Sequence, residues 1–159
     1  MRPSAAAASA SEVAPPANGL NVELPPVGGS TILKAGFAPD PFAQPITSGG
    51  PIDVSATLGG GCMGWATAAP GIGVTYEAGS MTLLRFYFVA ASSGADTTLV
   101  VNAPDGSWHC NDDSPGGIDP MVDFGTPQAG RYVIWVGSFE EGSAHDGTLY
   151  VTELASNTP

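Results

Sequence analysis

Four carboxylates and two cysteines carry most of the chemistry that can be read from this sequence. Six of the nine aspartates, and one of the two cysteines, lie between Asp96 and Asp123. Asp96, Asp112, Asp113 and Asp119 are candidate ligands for a hard cation. Calcium takes about six to eight oxygens from carboxylates and carbonyls, and Gly116-Gly117 lets backbone carbonyls turn inward. The spacing is not that of an EF-hand, because no Asp-x-Asp-x-Asp-Gly run is present. A second reading stands beside calcium: Asp112 and Asp113 as turn residues that bond their own backbone. Four clustered like charges, which repel unless a cation joins them, favour the metal.

Cys62 and Cys110 are 48 positions apart, and the sequence contains no other cysteine and no CxxC. Two buried thiols would suit a reducing cytosol, whereas one structural disulfide suits an exported domain and is the expectation here. Closing a loop of that length stabilises a fold by about 4 kcal/mol in the chain-entropy account. Other chemistries find less support. Zinc has only His109 and His145 to draw on if the cysteines are paired. A serine triad would need one of these histidines as base, and no G-x-S-x-G is present. Glu140-Glu141 could form half of a glycosidase pair, but they read as a solvated acidic loop. Trp65, Trp108 and Trp135 offer aromatic faces. Trp108 and Trp135 are expected to pack inside, and Trp65, just after a glycine-rich loop, is the candidate ligand surface.

The charge balance narrows the partners. Four Lys and Arg residues stand against 15 carboxylates, for a net charge of -11. Such a surface repels nucleic-acid phosphates and anionic membranes. No stretch approaches the roughly 20 apolar residues of a membrane span. The opening MRPSAAAASASEVAPP has no apolar h-region, so it is not a complete signal peptide, although Ala8-Ser9-Ala10 resembles the small-residue end of one. The expectation is a secreted or periplasmic protein whose native export signal is missing here.

The elements that must position these residues read as strands. Residues 1–30 are rich in Ala, Pro and Ser and are expected to be a flexible tail. Within them Leu20–Leu24 alternates and has two readings: a linker, which is preferred, or a short strand that pairs with a sheet edge of its own domain or a neighbour's. Residues 31–159 are expected to form one domain. Candidate strands are Thr31–Ala35, Pro51–Thr57, Ile72–Glu77, Met81–Ala90, the hairpin runs around Leu99–Val101 and Ser107–Cys110, Pro120–Phe124, Arg131–Gly137 and Thr148–Leu154. Glycine and proline turns separate them, and no helical period intervenes. Together they predict an all-β fold, a β-sandwich of jelly-roll type with about eight strands. The expected picture is two sheets clipped together by the disulfide, with carboxylates at one rim.

Three groups of residues carry a resemblance. They are Ala95-Asp96-Thr97-Thr98-Leu99 followed by Pro104-Asp105-Gly106, then Cys110-Asn111-Asp112-Asp113, then Gly130 through Gly137. In this order they resemble the bacterial pre-peptidase C-terminal domain family, including its collagen-binding-domain-like members, over roughly residues 49–154. The resemblance implies a secreted or periplasmic jelly-roll sandwich without catalysis of its own, calcium-binding in some members and often attached to secreted proteases. No protease domain is present here. The expectation is therefore a non-catalytic binding or accessory module that takes a protein or polysaccharide at a sheet or loop surface. The alternative is an assembly protein whose tail pairs with a neighbour, and an unrecognised hydrolase ranks behind both.

Overall fold

A computed structural model describes residues 19–159. Within them the chain is nearly all β, with eleven strands and one five-residue helix. The central element is β10 (Gly130–Ser138), a run of β-branched and aromatic residues almost wholly buried. β5 (Ile72–Glu77) pairs antiparallel along residues 130–134 of one side. β4 (Trp65–Ala66) takes over that side at Ser138. β7 (Thr97–Asn102) pairs along Val133–Ser138 on the other side. β8 (Trp108–Asn111) returns against β7 through the Pro104-Asp105-Gly106 turn. β1 (Ser30–Lys34) lies parallel to β5, and β3 (Ile52–Asp53) pairs with β4, completing a seven-stranded sheet. The four-stranded sheet runs β2 (Phe42–Thr47), β11 (Asp146–Thr152), β6 (Leu83–Ala90) and β9 (Met121–Gly125).

The strand period assigns the faces. Leu84, Phe86 and Phe88 of β6 alternate inward and meet Leu99, Val101, Tyr132, Ile134 and Val136 of the larger sheet in one core. Two sheets packed in this way make the β-sandwich that the alternation predicts.

The larger sheet is buried on its other face as well. Val100, Val133 and Trp135 point away from the sandwich core into a second cluster with Leu20, Val54, Cys62 and Ala66. A third layer therefore covers this face, and it explains why β7 and β10 read as nearly continuous apolar runs rather than alternating ones.

That layer corrects three expectations. The tail boundary at residue 30 moves toward the N-terminus: Leu20 is fully buried, Asn21 N–H donates to the Ala68 carbonyl at 2.9 Å, and Arg131 donates to the Val22 carbonyl. Leu20–Leu24 forms no strand, and it packs on its own domain because Leu20 fills a hole over Val133 and Trp135. Residues 1–18 lie outside the described residues. The Pro51–Thr57 run is not one strand either. Asp53 ends β3 and caps α1 (Val54–Leu58) by accepting the N–H groups of Ser55 and Ala56. A side-chain cap of this kind offers the backbone a helical alternative to the ladder. Finally, the cysteines do pair, with a Cα–Cα distance of 5.6 Å. Their bond joins the loop after α1 to β8, so it ties the third layer to the larger sheet rather than one sheet to the other.

Candidate functional site

The hairpin turn aligns β8 so that its residues alternate. Trp108 and Cys110 face the third layer, where Trp108 meets Trp135 with ring centroids 5.4 Å apart. His109 faces the other way, its ring edge-on to Phe124 of β9 at 4.7 Å. Asn111 follows on that same side and accepts the Met121 N–H through its side chain at 3.3 Å. β8 and β9 therefore border each other across the open side of the sandwich, one from each sheet.

Between them and the loop after α1 runs a groove of about 510 Å³. It is lined by Leu58 to Gly60 and Cys62 on the α1 side, by Trp108 to Asn111 of β8, and by Met121 to Asp123 of β9. The disulfide sits in its lining. Asp123 is held by a bidentate pair to Arg85, with Nε to Oδ1 at 2.7 Å and Nη2 to Oδ2 at 2.9 Å. Arg85 also donates to the carbonyls of Ala155 and Asn157, so it anchors the C-terminal segment.

The carboxylates expected to converge do so only in part. Asp96 immediately precedes β7, and its Oδ1 is buried with no hydrogen-bond partner. Burial first, then the charges of Asp113, Asp112 and Glu140, hold its pKa above the ordinary aspartate value, against a smaller opposing pull from His145. Asp96, Asp112 and Asp113 are thus electrostatic neighbours, joined by Glu140 and His145 from a loop the sequence does not link to them. Asp119 goes elsewhere: its carboxylate accepts the Ala90 N–H at the end of β6. Among the described residues no group of three or more His, Cys, Asp or Glu side chains is arranged to hold a metal ion.

The histidines do not form a nucleophilic relay. The Ser107 hydroxyl lies 2.6 Å from Asp105 Oδ1 and 2.9 Å from His109 Nε2. Serine stands between carboxylate and imidazole, whereas a triad places the imidazole in the middle so that the carboxylate can orient it. The Asp105 pKa is lowered chiefly by the Ser107 hydroxyl and backbone N–H, as in a simple Asx turn. His145 contributes its backbone: its N–H donates to Ser48 Oγ, and its carbonyl accepts from Ser48 N–H.

Trp65 is half-buried in β4, paired with Asp53 and Ser138, and is not part of the groove lining. Among the groove residues that sequence reading missed are Asn111 and Met121. Each is unremarkable in its own strand, and only the meeting of the two sheets places them together.

No family model matches the chain, and no curated protein matches it. Among solved structures, the crystal structure of Aeromonas hydrophila PliG, a periplasmic lysozyme inhibitor of g-type lysozyme, is similar to it at 17% identity, covering 77% of this chain and 96% of that one with a TM-score of 0.39. Among the described residues no helix is long and apolar enough to cross a membrane.

Proposed function

We propose that the protein is a non-catalytic binding module that works outside the reducing cytosol, secreted or periplasmic, and that its ligand sits in the groove between β8, β9 and the loop after α1. One observation carries this reading: the Cys62–Cys110 bond braces a wall of that groove. A disulfide in this position suits an oxidising compartment. A preformed concavity lined by backbone and a few polar groups suits binding. The proposed kinship with the pre-peptidase C-terminal family draws support from the placement of its three residue groups. They fall on β7, β8 and β10, which pair side by side.

The test is site-specific photo-cross-linking in the natural host. A photoreactive residue at exposed Asn111, on the groove rim, is expected to capture a partner, and one at Val27, which is 80% exposed and outside the groove, is not. Equal capture from both positions, or none from Asn111, sinks the groove as the binding surface. Alkylation of the natural protein without reduction is expected to label no thiol. Two labelled cysteines would remove the exported compartment.

Calcium stabilisation belongs to the same proposal. It rests on Asp96, whose buried Oδ1 and repelling neighbours a cation would relieve, and it requires Asp112 and Asp113 to close on that residue. A ligand present at about 100 times its Kd stabilises by about 2.7 kcal/mol. The melting temperature is therefore expected to rise in millimolar calcium relative to chelator. An unchanged value excludes a calcium site of useful affinity.

A further inference from the structure

The geometry points to the mode of binding in this groove: an extended, positively charged segment of a partner protein adds as a strand along the free edge of β8, beside β9. This rests on the groove being the binding surface and names what it takes.

The edges are the first observation. Among the described residues β8 pairs only with β7 and β9 only with β6, so each ends its sheet on the groove side. Among the described residues the backbone of Trp108–Asn111 and Met121–Gly125 makes no hydrogen bond outside those ladders, apart from Met121 N–H to the Asn111 side chain. Unpaired N–H and C=O groups in a row are a template for another strand.

Of the three other strands that end a sheet, β3 has only two residues, and β1 and β2 are guarded in ways β8 and β9 are not. β2 carries Pro45, which has no N–H to offer, and β1 carries Lys34. Proline and lysine are the usual means of blunting an edge. β8 reads WHCN and β9 reads MVDFG, with neither residue. The one charge on β9, Asp123, is neutralised by Arg85. With four residues in β8, the free edge extends for about 13 Å at roughly 3.3 Å per residue, enough for four or so residues of an added strand.

Charge selects the partner. Asp105 precedes β8, and Asp112 and Asp113 follow it, so carboxylates flank the edge at both ends. Among the described residues no lysine or arginine lines the groove, and Arg85, which meets the lining residue Asp123, is engaged by it and by the C-terminal carbonyls. With a net charge of -11 behind it, the edge attracts cationic segments and repels acidic ones. It also repels a second copy of this chain.

The test uses the intact oxidised protein and a short acetylated peptide alternating valine and lysine, followed by amide NMR. Perturbation is expected at Trp108–Asn111 and Met121–Gly125. Methylating alternate peptide nitrogens on the pairing edge is expected to weaken binding by at least about tenfold, because main-chain bonds supply the affinity in this mode. The Asp112→Lys/Asp113→Lys variant is expected to lose a similar factor and much of its salt dependence. The valine–glutamate peptide is expected not to bind.

Undiminished binding of the methylated peptide overturns the proposal, as does no perturbation at millimolar peptide. Perturbation confined to β1 and β2 also overturns it. Concentration-dependent self-association that protects the β8 and β9 amides makes a second copy the occupant, and likewise overturns it. A positive cross-link from Asn111 combined with a failed peptide titration leaves the groove standing as a binding surface and removes only strand addition by a basic segment.

Discussion

Asp96 shows how one residue can carry a conflict that the fold tolerates. Its carboxylate is partly buried next to Asp113, Asp112 and Glu140, and its pKa is raised for that reason. A raised carboxylate pKa means that the folded state holds the proton more tightly than the unfolded state. Its full contribution to stability is then present below the ordinary value of 3.8, and is lost as pH rises through the folded value. Asp96→Asn is therefore expected to raise the melting temperature at pH 7 in chelator, with the gain shrinking to nothing as the pH is lowered past that window. A variant that melts lower at pH 7 would show that the carboxylate makes a bond worth more than its repulsion.

The buried tyrosines set the opposite, alkaline limit. Tyr76 donates to Glu153 Oε2 at 2.6 Å, and burial followed by that partner pushes its pKa up. Burial raises Tyr132 to about 12. Both groups keep their protons in the fold after an unfolded chain has begun to lose them near 10. Stability is expected to be intact below pH 10 and to fall as pH climbs toward 12. Chemical denaturation at intervals across that range would show it, and Tyr132→Phe is expected to flatten the slope.

At the scale of elements, the decisive contact is where β4 joins β10 in the larger sheet. A Cβ built at Gly137 of β10 would lie 2.5 Å from Thr98 Oγ1 and 2.9 Å from the Trp65 carbonyl oxygen. Gly64, with φ +108, meets the same threonine from the residue before β4. β4 can sit against β10 only because neither position has a side chain. Gly137→Ala is expected to destabilise by about 1–3 kcal/mol, the usual range for overpacking, measured by urea denaturation. Gly142→Ala is a poor control because its φ of +82 adds strain. Gly116→Ala, with open space and no such φ, is the appropriate one and is expected to be close to neutral.

The whole molecule is best described as a sandwich with a braced outer layer. The layer has little regular structure of its own beyond the five residues of α1. Its stability comes from packing on Val100, Val133 and Trp135 and from the bond to Cys110. Replacing both cysteines with serine opens a loop of 48 residues and is expected to lose about 4 kcal/mol of stability. Hydrogen exchange is expected to accelerate most over residues 54–64, with the β6 and β10 amides the least affected. Uniform acceleration would mean that the brace supports the whole sandwich rather than one layer.

Patterns with a period of two were open to reading before any coordinates. Leu84, Phe86 and Phe88 on one face of β6, the hairpin around Pro104-Asp105-Gly106 and the unbroken apolar run of β10 depend on neighbours in sequence, and local chemistry is enough to find them. The pairing of Cys62 with Cys110 was open in the same way, because two cysteines allow one partner choice. What needed three dimensions was every relation between segments distant in the chain. Leu20 looks like part of a polar tail until it is seen filling the space above Trp135. Asp119 looks like a fourth ligand until the chain carries it to Ala90. The groove is written in no single stretch. It exists because the last strand of one sheet comes to rest beside the last strand of the other, and residue order along a chain does not encode which edges will meet.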